Sequence, residues 1–147
     1  MNARTILVGI EGHQDDETAV AVLCETMDVR SATLRIVSVL TVPMTAPIDV
    51  PMPEVESRAS HMLESAGRVA RELGAPRIET AVLRGRLVGE TLLEEARRVS
   101  PMAIVVRLRS HHPPLEHRVI SPTVSTLLAG ATCPVVTVHL PHRLHRL

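Results

Sequence analysis

Along the chain, short aliphatic runs alternate with apolar stripes at three- and four-residue spacing. Residues 5–10 form a run of the length of a buried strand. Gln14, Asp15, Asp16 and Glu17 then predict the N-cap and acidic first turn of a helix whose apolar face is Ala19, Val20, Leu23 and Met27. Residues 32–40 predict a second strand and residues 41–53 a proline-rich loop. An unbroken stripe follows, Val55, Ala59, Met62, Leu63, Ala66, Val69, Ala70 and Leu73, with Gly74 and Pro76 as its stop signal. Residues 77–83 alternate as a third strand, Val88, Leu92, Ala96 and Val99 mark a third helix, and residues 103–106 are a fourth strand. A polar stretch over 107–118 leads to Ser121-Pro122, the form of an N-cap with proline at the first helical position. That helix ends near Gly130, and residues 134–140 are a fifth strand.

The order is β-α-β-α-β-α-β-α-β, with crossovers long enough for right-handed parallel connections. It predicts a doubly wound α/β sheet forming a single domain over residues 1–141, with a short tail over 142–147. Ligands of such sheets sit beyond the carboxyl ends of the strands where strand order reverses, so the loops after strands one, two and four are the place to look.

Composition narrows the chemistry. The 147 residues are 45% hydrophobic and 22% charged, with 16 basic and 16 acidic side chains. The chain contains no Phe, Tyr or Trp, and all its basic residues are Arg. Base stacking on aromatic rings is absent, and a neutral chain lacks the field that gathers phosphate backbones, so no nucleic acid is expected. Lysine chemistry, from Schiff bases to the Walker lysine, is excluded outright. No run approaches the roughly 20 apolar residues that cross a bilayer, so no membrane partner is expected. Cys24 and Cys133, far apart and in apolar settings, read as buried thiols of a reducing cytoplasm rather than a disulfide.

Four segments together carry a family resemblance: strand one running into Gly9-Ile10-Glu11-Gly12, Arg84-Gly85 before a helix, the Ile104-Val105-Val106 strand, and the ending Ala131-Thr132-Cys133-Pro134-Val135-Val136. The chain resembles the universal stress protein family over essentially its whole length. The resemblance implies a Rossmann-like five-stranded parallel sheet in the order 3-2-1-4-5, homodimers paired through the last strand, a cytoplasmic stress role without established catalysis, and two branches, one of which binds ATP.

The ATP-binding branch carries three spaced glycines after strand four, the last followed by Ser or Thr. Superposing the family ending on Cys133-Pro134 puts those positions at Leu108, His111 and Ser121, with Pro122 at the hydroxyl position. Glycines let backbone amides close on phosphate; Leu108 and His111 put Cβ atoms in that approach, and Pro122 deletes a donor at the helix start. The family aspartate at the end of strand one is Glu11 here. The resemblance thus implies a retained scaffold without the usual phosphate cradle, and no cofactor is expected.

In place of the cradle stand Arg107, Arg109, His111, His112, His117 and Arg118. They form either an anion site in which arginine forks replace glycine amides, or a solvated loop interrupted by Pro113-Pro114. The candidate cleft residues are therefore Ile10, Glu11, Gly12, Val39, Arg107, Arg109, His111, Arg118, Ser121 and Thr123, with Ile10 and Val39 as the aliphatic rest for any adenine. Histidines gathered beyond residue 110 suggest a metal cluster, but neither cysteine stands at ligand spacing and the positions lack preorganised geometry, so no metal is expected. Asp15, Asp16 and Glu17 read as dipole-complementing, solvated groups, and no nucleophile elbow or triad is present, so no catalysis is expected. Association is the expected activity: residues 134–140, from Pro134 through Val138 to Leu140, form an aliphatic edge strand suited to pairing across a two-fold axis. The alternative is a module for a nucleotide or another small anion, using the loop over 107–118.

Overall fold

Strands rich in Val, Ile and Leu on both faces need cover on both, and four helices supply it. The computed structural model describes residues 4–12, 15–108 and 121–140. In chain order the elements are β1 (Arg4–Ile10), α1 (Asp16–Thr26), β2 (Ala32–Thr41), α2 (Pro53–Glu72), β3 (Arg77–Gly85), α3 (Val88–Val99), β4 (Ala103–Leu108), α4 (Pro122–Gly130) and β5 (Val135–His139). The five strands are parallel in the order β3-β2-β1-β4-β5, the order that the family resemblance implies, so the order reverses between β1 and β4.

The side-chain alternation of each strand divides the interior into two cores. Ile6, Val8, Leu34, Ile36 and Val105 meet Val20 and Leu23 of α1 and Leu63, Ala66 and Ala70 of α2 on one face. Leu7, Val37, Ile104 and Val106 meet Leu92 and Leu93 of α3 and Val124 and Leu127 of α4 on the other. Close approach of α3 to β3 depends on Gly85, where a Cβ would lie 1.8 Å from the Thr91 Oγ1.

Cys24 and Cys133 are free thiols, one packed against each core, with the sheet between them. Both are half-buried rather than fully buried, and burial pushes both thiols above their ordinary pKa.

Element boundaries depart from the sequence pattern in instructive ways. β3 continues through Arg84 to Gly85, because the Gly85 carbonyl accepts from Val42 N and Arg84 ties down the loop after β2. α2 begins at Pro53, whose missing N–H costs nothing at a first helical turn. β4 extends to Leu108, so Arg107 belongs to a strand and not to the polar loop: it sits in register with Val138 of β5.

Candidate functional site

The reversal of strand order lies between the end of β1 and the end of β4, and the connection after β1 shapes what stands there. Gly12 has φ +76, in the left-handed region that glycine adopts without strain. The turn aims the Glu11 and Gly12 amides at the start of α1. The Asp16 carboxylate accepts both, at 3.3 Å from Glu11 N and 2.8 Å from Gly12 N.

Asp15, at the N-cap of α1, makes no side-chain cap bond and instead pairs with Arg107, with Oδ2 3.4 Å from Nη2. Asp15 and Asp16 are 7% and 3% exposed, which corrects their reading as solvated helix-end charges. A buried carboxylate needs a partner: backbone amides serve Asp16 and a guanidinium serves Asp15.

Between Gly9, Ile10, Asp16, Ala19, Val106 and Arg107 the described residues leave a cavity of about 10 Å³. That is room for roughly one water, against the several hundred Å³ of an ordinary small-molecule pocket. Arg107 Nε and Nη1 are buried beside it and make no hydrogen bond to the described residues.

Of the other described candidates, Ile10 lines this crevice, whereas Val39, Ser121 and Thr123 do not. Ile10 packs on the α1 and α2 side of the sheet and Val39 on the α3 and α4 side, so the two do not form one floor for a ring. Ser121 caps α4, its Oγ accepting from Val124 N at 3.2 Å, and Thr123 is half-buried in the first turn of that helix. Arg109, His111 and Arg118, with His112, His117 and the tail over 142–147, lie outside the described residues. Among the described residues no three His, Cys, Asp or Glu side chains gather to hold a metal ion. No helix of the described residues is long and apolar enough to cross a membrane.

Two arginine assemblies escaped the sequence reading. Arg84 and Arg86, on the same side of the chain at the end of β3, hold the loop after β2 by its carbonyls. On the other face, the buried Glu95 of α3 pairs with the half-buried Arg35 of β2 and the exposed Arg98. A lone arginine in an alternating strand is the only sequence signal for either, and it is indistinguishable from a solvent-facing charge.

The sequence matches the profile of the Universal stress protein family over residues 2–139. No curated protein matches it. Among solved structures it is similar to a universal stress protein from Archaeoglobus fulgidus in complex with dAMP, at 19% identity and TM-score 0.72, covering 93% of this chain and 98% of that one. A universal stress protein in complex with cAMP matches at 22% identity and TM-score 0.68, covering 96% and 100%. A family protein from Arabidopsis thaliana with AMP bound matches at 16% identity and TM-score 0.67, covering 96% and 94%.

Proposed function

Since the chain belongs to the universal stress protein family, we propose that it is a non-enzymatic, homodimeric cytoplasmic member that acts by association and does not take ATP in the family's usual mode. One observation carries this reading: the crevice at the reversal of strand order is filled by the chain's own carboxylates and arginine. Related structures hold dAMP, cAMP and AMP. A nucleotide seated at this crevice would have to displace Asp16 from two amides, break the Asp15–Arg107 pair and bring its phosphate past both acidic groups. Like charges at such distances in a partly dry site oppose it strongly. Asp15 and Asp16, each held by a structural partner, are poorly placed to act as a general base.

The test is a calorimetric titration with ATP, AMP and cAMP, paired with thermal denaturation. Neither saturable heat nor a shift in Tm is expected at millimolar nucleotide. A ligand present at 100 times its Kd would add about 2.7 kcal/mol, a rise of several degrees that would refute the reading.

The buried donors of Arg107, which have no hydrogen-bond partner among the described residues, favour a second reading, in which this residue holds one small anion. Under it, chloride or inorganic phosphate raises Tm in the native chain and not in Arg107→Met. Equal responses in the two proteins would dismiss it.

A further inference from the structure

With no Tyr, Trp or Phe in the chain, a peroxide meets sulfur as the readily oxidised group of this protein. The six methionines and two cysteines stand at different depths. Met44, in the loop after β2, is 81% exposed, and Met102, just before β4, is 40% exposed. Met27, Met52 and Met62 are half-buried, and Met27 and Met62 pack on the core beneath α1 and α2. Met44 belongs to neither core, and Met1 lies outside the described residues.

The thiols are poor competitors for a peroxide. A thiol reacts as its thiolate, and burial holds both Cys24 and Cys133 above their ordinary pKa. A thioether has no proton to lose and offers its lone pair at any ordinary pH, so access to the sulfur decides its rate. Access is greatest at Met44, and the backbone there does not lean on the side chain. Arg86 Nη1 donates to the carbonyls of Val42, Pro43 and Ala46, on both sides of Met44. Arg84 Nη1 holds the Ile48 carbonyl at 3.1 Å and the Val50 carbonyl at 2.7 Å. Turn bonds from Ala46 N to Pro43 O and from Val50 N to Pro47 O complete the loop. Every acceptor in this set is a main-chain oxygen, and none of the bonds uses the Met44 thioether.

We infer that Met44 is a modification site for hydroperoxides: its thioether takes up oxygen ahead of the other described sulfur atoms, and the native fold carries the resulting sulfoxide. In the step a sulfur lone pair attacks the terminal peroxide oxygen. The S–O bond forms as the O–O bond breaks, and sulfur gives up two electrons to the peroxide. The proton of the attacked oxygen passes to the leaving one, which departs as water or an alcohol. The product turns the most exposed of the large apolar side chains into a polar hydrogen-bond acceptor surrounded by water. The same change at Met27 or Met62 would press an S–O dipole against aliphatic neighbours, where a polar group without a partner is destabilising. Depth in the fold thus separates a tolerated oxidation from damaging ones.

Excess hydrogen peroxide at pH 7, with the native chain sampled over time by peptide mass spectrometry, tests the inference. The peptide that holds Met44 is expected to gain one oxygen about tenfold faster than those that hold Met27 and Met62, with Met102 between them. Both thiols should still alkylate after denaturation when Met44 is fully converted. At that point Tm should lie within about 1 °C of the untreated protein, whereas longer exposure that reaches Met27 and Met62 should lower it by several degrees. In concentrated urea the rates should converge, because the fold sets their order. Equal native rates at Met44 and Met62, earlier loss of either thiol, a spread of rates that survives urea, or a fall of several degrees at the first oxygen would each overturn the inference. No arm of this experiment reads nucleotide binding or dimer mass, so it stands or fails apart from the proposed function.

Discussion

Glu95 is a glutamate 6% exposed on α3, taken between Arg35 Nε at 2.5 Å and Arg98 Nη2 at 2.8 Å. Hydrogen bonding from Arg98, joined by that from Arg35 and by both positive charges, holds its carboxyl below the usual glutamate range against the opposing effect of burial. A lowered folded value contributes stability that is whole above the unfolded pKa of about 4.3 and is lost as the pH falls through the folded value. Glu95→Gln keeps the shape and removes the charge, leaving Arg35, 16% exposed, without its closest anion. A loss of about 2 kcal/mol is expected at neutral pH, roughly 5–10 °C in Tm, and the gap to the native protein should narrow on acidification below pH 4. Calorimetric melts at pH 7 and pH 3 check it; a gap that widens at pH 3 contradicts the assigned sign.

At the scale of elements, the loop after β2 is held by arginine donors and not by a hydrophobic core of its own. Arg86→Met keeps the length of the side chain and removes three carbonyl contacts. Amide exchange over residues 42–50 is expected to accelerate about tenfold or more, while exchange in β1 and β4 stays near its native rate. Peptide-resolved hydrogen exchange reads both at once. The same loop marks the limit of what the sequence discloses. Val55 to Leu73 at helical spacing, Gly74 as a stop and Ser121-Pro122 as a start are local signals, and the helices obey them. Aliphatic runs without polar alternation predict a parallel sheet because that is the arrangement that buries both faces. Arg84 and Arg35 stand in equally plain alternation, yet their partners lie 28 to 60 positions away, a separation no local pattern encodes. Asp16 lies between these cases. Its four-residue distance from Gly12 makes the bond to that amide readable in principle, but the acidic first turn of a helix offers a simpler account of the same residue. Arg107 resembled a loop cation only because it stands next to a polar stretch; its strand register follows from the pairing with β5.

At the scale of the whole molecule the two sheet edges are unequal. β3 carries Arg77, Glu79 and Arg84, the charges that blunt an edge against further pairing. β5 carries Val135, Val136, Thr137 and the buried Val138 with no charge before His139, and Thr137 is exposed. This asymmetry supports a dimer closed through β5. Light scattering is expected to give twice the chain mass at micromolar concentration, with Tm rising as the protein is concentrated, and Thr137→Lys should yield the monomer. A native chain that is already monomeric contradicts this assembly and leaves the nucleotide reading to its own test.

The sheet also parts the two sulfur atoms, Cys24 with the layer of α1 and α2, Cys133 with that of α3 and α4. Each layer therefore carries its own natural chemical clock. Alkylation of the native sequence under mild denaturant, resolved by mass spectrometry, times the opening of the two layers separately. Equal rates at both thiols would mean that the layers loosen as one cooperative body, and unequal rates would identify the layer that opens first.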